Sequence, residues 1–218
     1  MHNDIFTPLL KEFRQGITQI TAQPLPAAQR LKATIPYILN TLEKVKKLVQ
    51  DHPFPGQADE IAFFKHIKPE IYAYKIFEEE YYRLSMNQPS APPEMIKAYL
   101  LEEIRQLNRF FTFNAFHYQY YKMKAVELDT LYFIRGAAVP AIPIMEITEL
   151  NPDFSTGMDY VFSRFIAYER LLDDLVGRLN DQEPVREEKN VRVKKELLKW
   201  TGNKIGVVEL AYGLYYSV

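Results

Sequence analysis

Residues 59–84 read DEIAFFKHIKPEIYAYKIFEEEYYRL, and this stretch decides the fold class of the chain. Its apolar side chains recur at three- and four-residue spacing, which is the period of an amphipathic α-helix. They are Ile61, Phe64, Ile67, Ile71, Tyr74 and Phe77. Pro69 is the one helix breaker, and proline is tolerated in the first turn of a helix. The stretch therefore predicts one helix before Pro69 and a longer helix that starts there.

The same period continues on both sides of this stretch. Toward the N-terminus it predicts helices over residues 4–21 and 31–49, and Pro36 should kink or restart the second of them. Toward the C-terminus, residues 94–127 form the longest uninterrupted helical pattern, with aromatics so dense near its end that burial on more than one face is expected. Residues 158–180 return to a helical pattern.

The segments between these patterns carry turn residues. Residues 87–93, NQPSAPP, form the clearest linker, and residues 128–135 fit either a short helix or a strand. Two prolines make residues 136–143 extended or looped. With about seven helices and little or no sheet, we expect an all-α protein. Its parts would be a multi-helix, bundle-like body over residues 1–184 and a helix-turn-helix-like segment over residues 185–218.

Composition narrows the class of protein. The 218 residues can bury a substantial core, and 47% hydrophobic and 14% aromatic residues argue against disorder. The formal net charge of −1 excludes a protein that coats nucleic acid with its whole surface. The absence of cysteine excludes disulfides and thiol catalysis. The N-terminus does not resemble a signal peptide and no apolar run could span a bilayer, so we expect a cytoplasmic protein.

The sequence gives little support to catalysis. It contains no Gly-rich phosphate loop and no nucleophile or zinc-protease motif. The acidic pairs Glu102-Glu103 and Asp173-Asp174 are adjacent in sequence, so they point to different helix faces and are expected to be solvated. The four histidines, His2, His52, His66 and His117, are too few and too scattered for a metal site, although His66 and Glu70 have helical spacing. We expect no enzyme, no metal and no cofactor.

Residues 109–124 combine aromatic and basic side chains. Phe110, Phe111, Phe113, Phe116, Tyr118, Tyr120 and Tyr121 lie among Arg109, His117, Lys122 and Lys124. Aromatic side chains of this kind can stack on single-stranded bases. Burial in a helical core is the more common fate of such residues, because large aromatic rings contribute strongly to core stability.

Residues 189–218 read KNVRVKKELLKWTGNKIGVVELAYGLYYSV: a basic helix, a break beside the only tryptophan, and a second apolar helix. Residues 185–204 contain seven basic residues and three acidic residues. Lys195 and Lys199 are one helical turn apart, with Arg192 close by. This arrangement fits the start of a helix-turn-helix, but from the residues alone a solvated basic helix is the more common interpretation, because charge runs usually face water.

The break itself suits an anion. Thr201 or Asn203 can cap the second helix, whose free N–H groups and dipole favour negative charge. Lys204 follows directly. A phosphate contact at this break is therefore physically reasonable, and an ordinary helix cap is the alternative.

Three segments together carry a resemblance to a known family. They are residues 59–69 (DEIAFFKHIKP), residues 120–135 with their Tyr-Tyr-Lys, Leu-Asp and Tyr-Phe-Ile-Arg groups, and residues 198–212 with Trp-Thr-Gly-Asn-Lys. From about residue 59 onward the chain resembles the RteC family, regulatory proteins of conjugative transposons. The resemblance implies a mostly helical DNA-binding regulator that activates transcription of excision genes. It assigns DNA binding to the C-terminal part, as a helix-turn-helix or as a winged helix that this chain holds only in part.

Two functions follow as expectations. The first is a transcriptional regulator that binds double-stranded DNA, with the body as a scaffold for dimerisation or signal reception. Its candidate DNA-contacting residues are Arg192, Lys195, Lys199, Thr201, Asn203 and Lys204. The second is a helical protein-interaction module without direct DNA contact, in which Tyr212, Tyr215 and Tyr216 pack against a partner or a second copy.

Overall fold

The computed structural model describes residues 5–137, 151 and 153–181. Within these ranges every regular element is helical and no strand occurs, which confirms the all-α class. None of the described helices is both long enough and apolar enough to cross a membrane. The predicted helix-turn-helix-like segment over residues 185–218 and the predicted boundary after residue 184 lie outside the described residues.

The described part of the chain contains eight α-helices and one π-helical segment. They are α1 (Phe6–Thr21), α2 (Ala27–Asp51), α3 (Gln57–Ala62), the π-helical segment (Phe63–Ile67), α4 (Lys68–Asn87), α5 (Pro93–Phe113), α6 (Ala115–Lys122), α7 (Asp129–Tyr132) and α8 (Asp159–Asp181). The predicted linker over residues 87–93 falls where α4 and α5 meet.

Helix α4 is the centre of this arrangement. It packs most extensively against α8 and α2, while α5 packs on α8 and α1 packs on α2. Ile71, Tyr72 and Ala73 are consecutive in α4 and all buried. Consecutive buried residues indicate a helix that is covered on more than one face. The stretch that predicts the fold class therefore also supplies the central helix.

The start of α4 differs in part from the prediction. Pro69 lies in the first turn of α4, as expected for a helix that begins there. The preceding helix does not end, however, because the π-helical segment joins α3 to α4 without a break. Phe63, Phe64 and Lys65 are consecutive in this segment and all buried. Single π-helical turns inside α-helices are frequent at functional sites.

Two further predictions concern helix continuity. Helix α2 runs from Ala27 to Asp51 through Pro36, so of the two outcomes expected there, a kink or a restart, the restart does not occur. Pro36 is exposed, and water can therefore satisfy the carbonyl group that a proline leaves unpaired. The predicted helix over residues 94–127 is divided at Asn114, which has φ −105° and ψ 25°. Its side-chain amide donates to the Phe110 carbonyl (2.9 Å), and this contact competes with continuation of the helix.

Helices α1 and α2 approach each other closely at Gly16. The Tyr37 hydroxyl donates to the Glu12 carbonyl (3.1 Å), and the Tyr37 ring stacks on Phe13 with centroids 6.0 Å apart. A Cβ atom at residue 16 would lie only 2.1 Å from the Tyr37 hydroxyl oxygen. Only glycine fits this position without a shift of the tyrosine.

We predict that Gly16→Ala lowers the free energy of unfolding by about 1–2 kcal/mol, because the added methyl group displaces Tyr37. Gly177→Ala in α8 is the matched control, since a Cβ atom there meets nothing within 4 Å. It should raise the free energy of unfolding by up to about 1 kcal/mol through helix propensity. Urea denaturation followed by circular dichroism measures both values, and equal stabilisation by the two changes would contradict the close approach.

Candidate functional site

The candidate DNA-contacting residues cannot be placed on this structure. Arg192, Lys195, Lys199, Thr201, Asn203 and Lys204 lie outside the described residues, as do Tyr212, Tyr215 and Tyr216. The described body offers two other features that carry charge in unusual positions. One is a set of ion pairs made by residues 59–69, and the other is a positively charged cavity next to it.

Lys65 forms the first buried ion pair. Its Nζ atom lies 2.7 and 2.9 Å from the two carboxylate oxygens of Asp129, and it donates to the Ala125 carbonyl at 2.6 Å. The Tyr120 hydroxyl also donates to Asp129, at 2.7 Å. Every charged group in this cluster therefore has a partner, which is the condition for keeping a charge inside a protein.

Lys68 forms the second buried ion pair. Its Nζ atom lies 2.5 Å from Asp159 Oδ2, 2.5 Å from the Phe154 carbonyl oxygen and 3.2 Å from Ser155 Oγ. The other carboxylate oxygen of Asp159 accepts the backbone N–H of Tyr160 at 2.8 Å, in the first turn of α8. Burial raises the pKa of Asp159 above its ordinary value, and the charge of Lys68 opposes that rise.

A third pair involves Glu60, whose Oε1 atom accepts both the backbone N–H and the Nε–H of Arg135, at 3.1 and 2.7 Å. The Arg135 guanidinium lies over the rings of Phe54 and Phe64. These contacts join the chain between α6 and the start of α8 to α3, the π-helical segment and α4. They are made by three charged side chains: Glu60, Lys65 and Lys68. Their described contacts are structural, and spacing along the sequence does not predict them.

One predicted acidic pair is corrected. Glu103 is buried and accepts a hydrogen bond from Arg83 of α4 at 3.0 Å, so it is not solvated. Its neighbour Glu102 is exposed and pairs with Arg105. In the other pair, Asp173 is exposed while Asp174 lies 2.7 Å from Arg178. Sequence spacing separates the faces of adjacent residues correctly, but it cannot show which face a neighbouring helix covers.

The aromatic run over residues 109–124 divides between two environments. Most of its rings pack on α8, with Phe110 against Tyr168 (4.8 Å between centroids) and Tyr121 against Phe162 (5.2 Å). Phe113 and Phe116, by contrast, are 72% and 64% exposed, and Met123 beside them is 75% exposed. The core interpretation therefore holds for most of the run, and three large apolar side chains remain exposed.

A cavity of about 570 Å³ opens beside the first ion pair. Its lining is contributed by α1, the π-helical segment, α4, the end of α6, and α8. The lining residues are Arg14, Lys65, His66, Glu70, Tyr121, Lys122, Lys124, Phe162, Ile166 and Arg170. Five of these ten side chains are cationic and one is acidic, so the cavity is a positively charged site.

The histidines do not form a metal site in the described part of the chain. No group of three or more potential ligands from His, Cys, Asp and Glu converges among these residues. His66 lines the cavity, where partial desolvation and then the charge of Lys65 lower its pKa. His117 is buried with its Nδ1 atom 3.3 Å from the Tyr132 hydroxyl, and burial lowers its pKa.

Comparison with known proteins gives one result that bears on function. A protein-family model described as RteC protein matches residues 62–218. This range begins inside α3 and includes the whole of the basic segment predicted to contact DNA. No curated protein and no solved structure shows significant similarity to the chain.

We predict that Lys68→Met lowers the free energy of unfolding by about 3–5 kcal/mol, because it leaves the Asp159 carboxylate buried without its partner. The matched control is Arg105→Met, which removes an exposed pairing with Glu102 and should change stability by less than about 1 kcal/mol. The double change Lys68→Met with Asp159→Asn should recover part of the loss. Urea denaturation measures all three variants, and equal effects of Lys68→Met and Arg105→Met would contradict the role given to the buried pair.

The lowered pKa of His117 predicts a dependence of stability on pH. Because the folded protein takes up this proton less readily than the unfolded chain, protonation favours unfolding. The contribution of His117 is fully present above about pH 6.5, the ordinary pKa, and is lost as the pH falls toward its lowered folded value. The free energy of unfolding should therefore fall less steeply from pH 7.5 to pH 5.5 in His117→Gln than in the unaltered chain. If the free energy of unfolding changed equally with pH in both proteins, His117 would not contribute to the pH dependence of stability.

Proposed function

The chain belongs to the RteC protein family, and on that premise we propose that it is a DNA-binding transcriptional regulator that activates excision genes of a conjugative element. The observation that carries the proposal is the extent of the family match, which covers residues 62–218 and so includes the whole basic segment. RteC proteins are regulators, which fits the absence of catalytic motifs in the sequence. Double-stranded DNA is the proposed partner.

The distribution of charge supports the same proposal. Seven basic and three acidic residues between 185 and 204 give this segment a charge of +4, while the whole chain carries −1. The remaining residues therefore sum to −5, and a surface of that sign repels phosphate. DNA would be drawn to the C-terminal segment and turned away from most of the body, which favours one defined orientation.

The described body has the features expected of a rigid scaffold for the basic segment. Its central helix α4 packs between α2 and α8, and its motif lysines are held by fully paired contacts. Buried ion pairs of this kind penalise alternative packings, because any rearrangement leaves a charge without its partner. In this proposal the body is a scaffold, and the basic segment makes the DNA contacts.

A second function is supported by a separate observation. Phe113, Phe116 and Met123 are large apolar residues that are mostly exposed and lie close together in sequence around α6. Exposed apolar patches on soluble proteins commonly mark protein contacts. A protein-interaction or dimerisation surface at this patch is therefore the alternative, and it is compatible with DNA binding elsewhere.

We predict that the double change Lys195→Ala and Lys199→Ala weakens binding to duplex DNA by about tenfold or more and lowers the salt slope by about two units, because two phosphate contacts are lost. The matched control is Lys44→Ala with Lys47→Ala in α2, which removes the same charge from exposed positions of the body. Fluorescence anisotropy with a labelled duplex at 50 and 200 mM salt measures both variants.

Either of two outcomes would contradict the proposal. The first is an equal loss of affinity in both double variants, which would reflect net charge alone. The second is flat anisotropy of the unaltered chain at 50 mM salt. If DNA binding were absent and Phe113→Ser with Phe116→Ser abolished self-association in analytical ultracentrifugation, the interaction function would replace the regulator.

A further inference from the structure

The cavity beside Lys65 contains more positive charge than the fold neutralises. Arg14 is held by Glu70 through two hydrogen bonds of 2.6 and 2.7 Å, and Lys122 is held by Glu169 at 2.9 Å. Lys65 is held by Asp129, as described above. The five cationic lining residues thus face three carboxylates, which leaves an excess of two positive charges. The two cations without a carboxylate partner among the described residues are Lys124 and Arg170.

Lys124 occupies a backbone position that a lysine does not favour. Its φ angle is +52°, and it is the one non-glycine residue with positive φ in the described part of the chain. It ends α6 in a Schellman motif, since the Lys124 N–H donates to the Tyr121 carbonyl and the Ala125 N–H donates to the Tyr120 carbonyl, both at 3.1 Å. Glycine or asparagine is the usual choice at this position. A lysine there costs stability and places an exposed ammonium group, with no carboxylate partner among the described residues, at the cavity.

Arg170 supplies a second unpaired donor. Its Nη1 atom is buried and has no hydrogen-bond partner among the described residues. Its guanidinium lies over the Tyr74 ring, 4.2 Å from the centroid, and this stacking fixes the plane of the group. A buried donor without an acceptor is uncommon in native structures. Arg170 also lines the cavity, so its guanidinium adds to the positive charge there.

The remaining surface of the cavity is apolar. Tyr121, Phe162 and Ile166 contribute aromatic and aliphatic atoms, and Phe162 belongs to the buried core of α8. A cavity of about 570 Å³ falls in the size range of small-molecule sites, which combine apolar walls with a few placed polar groups. A nucleic-acid backbone would leave this apolar surface unused. A small molecule with an apolar part and an anionic part would use both.

We propose that this cavity binds a small organic anion, with a carboxylate or phosphate group at Lys124 and Arg170 and an apolar group against Phe162 and Ile166. The site goes beyond the proposed regulatory function and does not depend on DNA binding. It gives the body a ligand of its own, of a defined chemical class. Carboxylate and phosphate share the same donors here, so the two sources are separated by the choice of probe.

The test uses isothermal titration calorimetry of the full chain with phenyl phosphate, benzoate and, as an uncharged control, benzyl alcohol. We expect saturable binding of at least one of the two anions and no binding of benzyl alcohol. The preferred anion identifies the headgroup. Absence of saturable binding by both anions up to about 10 mM, which corresponds to a free energy weaker than about −3 kcal/mol, would overturn the proposal.

The variant that separates binding from folding is Lys124→Asn. Asparagine tolerates the left-handed conformation, so the melting temperature should stay the same or rise. Affinity for the anion should fall about tenfold, the loss expected for one charge-assisted hydrogen bond. Lys44→Gln removes one exposed lysine from α2 and is the matched control, with no expected change in affinity. Equal affinities of the two variants would overturn the proposal.

His66 provides a local readout of occupancy. The groups around it are Lys65, Asp129, Lys124 and, from the other elements that line the cavity, Arg14, Glu70 and Arg170. A bound anion offsets their positive excess, so it should raise the pKa of His66 toward its ordinary value in an NMR titration. An unchanged His66 pKa at saturating anion would place the ligand elsewhere.

The DNA measurement separates this proposal from the regulatory one. Lys124→Asn should leave duplex affinity unchanged, whatever Lys195→Ala with Lys199→Ala does. A loss of duplex affinity in Lys124→Asn as large as in that double variant would assign the cavity to the DNA footprint and overturn the small-molecule site.

Discussion

Two ammonium groups inside the protein constrain the rest of the fold. Lys65 and Lys68 are each about 5% exposed, and burying an unpaired charge costs several kcal/mol. Each lysine must therefore find a carboxylate, and its partner comes from a helix far along the chain. Asp129 and Asp159 come from segments 64 and 91 residues further along the chain. The position of α7 and the first turn of α8 follows from this requirement as much as from apolar packing.

The π-helical segment belongs to the same constraint. It places Phe63, Phe64 and Lys65 in succession within the interior, and both phenylalanines are fully buried. An amphipathic helix on a surface would bring at least one of three consecutive residues to solvent. The rings of Phe63 and Phe64 meet edge to face with centroids 5.0 Å apart, and Phe154 packs on both. Phe154 also offers its carbonyl oxygen to Lys68, so the aromatic cluster and the second ion pair share one segment.

The features that could be predicted from sequence are those that depend on neighbours in the chain. Apolar spacing predicts α1, α2, α4 and α8 because a helix repeats every few residues. Other features depend on contacts with other elements or with solvent, which the spacing of apolar residues does not indicate. They are the division at Asn114, the continuity through Pro36 and the burial of Glu103. The same limit applies to the site. Capping and charge signals point to residues 192–204, but the cavity gathers its side chains from five separate elements. The unusual φ of Lys124 follows no local sequence rule.

The cations of the body fall into two groups that differ in whether described contacts pair them. Lys65 and Lys68 are buried, and every donor contact described for them ends on an acceptor, so the fold accounts for them completely. Lys124 and Arg170 are not accounted for in this way, because one strains the backbone and the other has a buried N–H without an acceptor in the described part of the chain. A chain selected for stability alone would place asparagine or glycine at residue 124. Local strain that the fold does not use is a common mark of a binding position, and here both residues line the same cavity. That coincidence, more than the charge of the cavity, separates a ligand site from an ordinary basic surface.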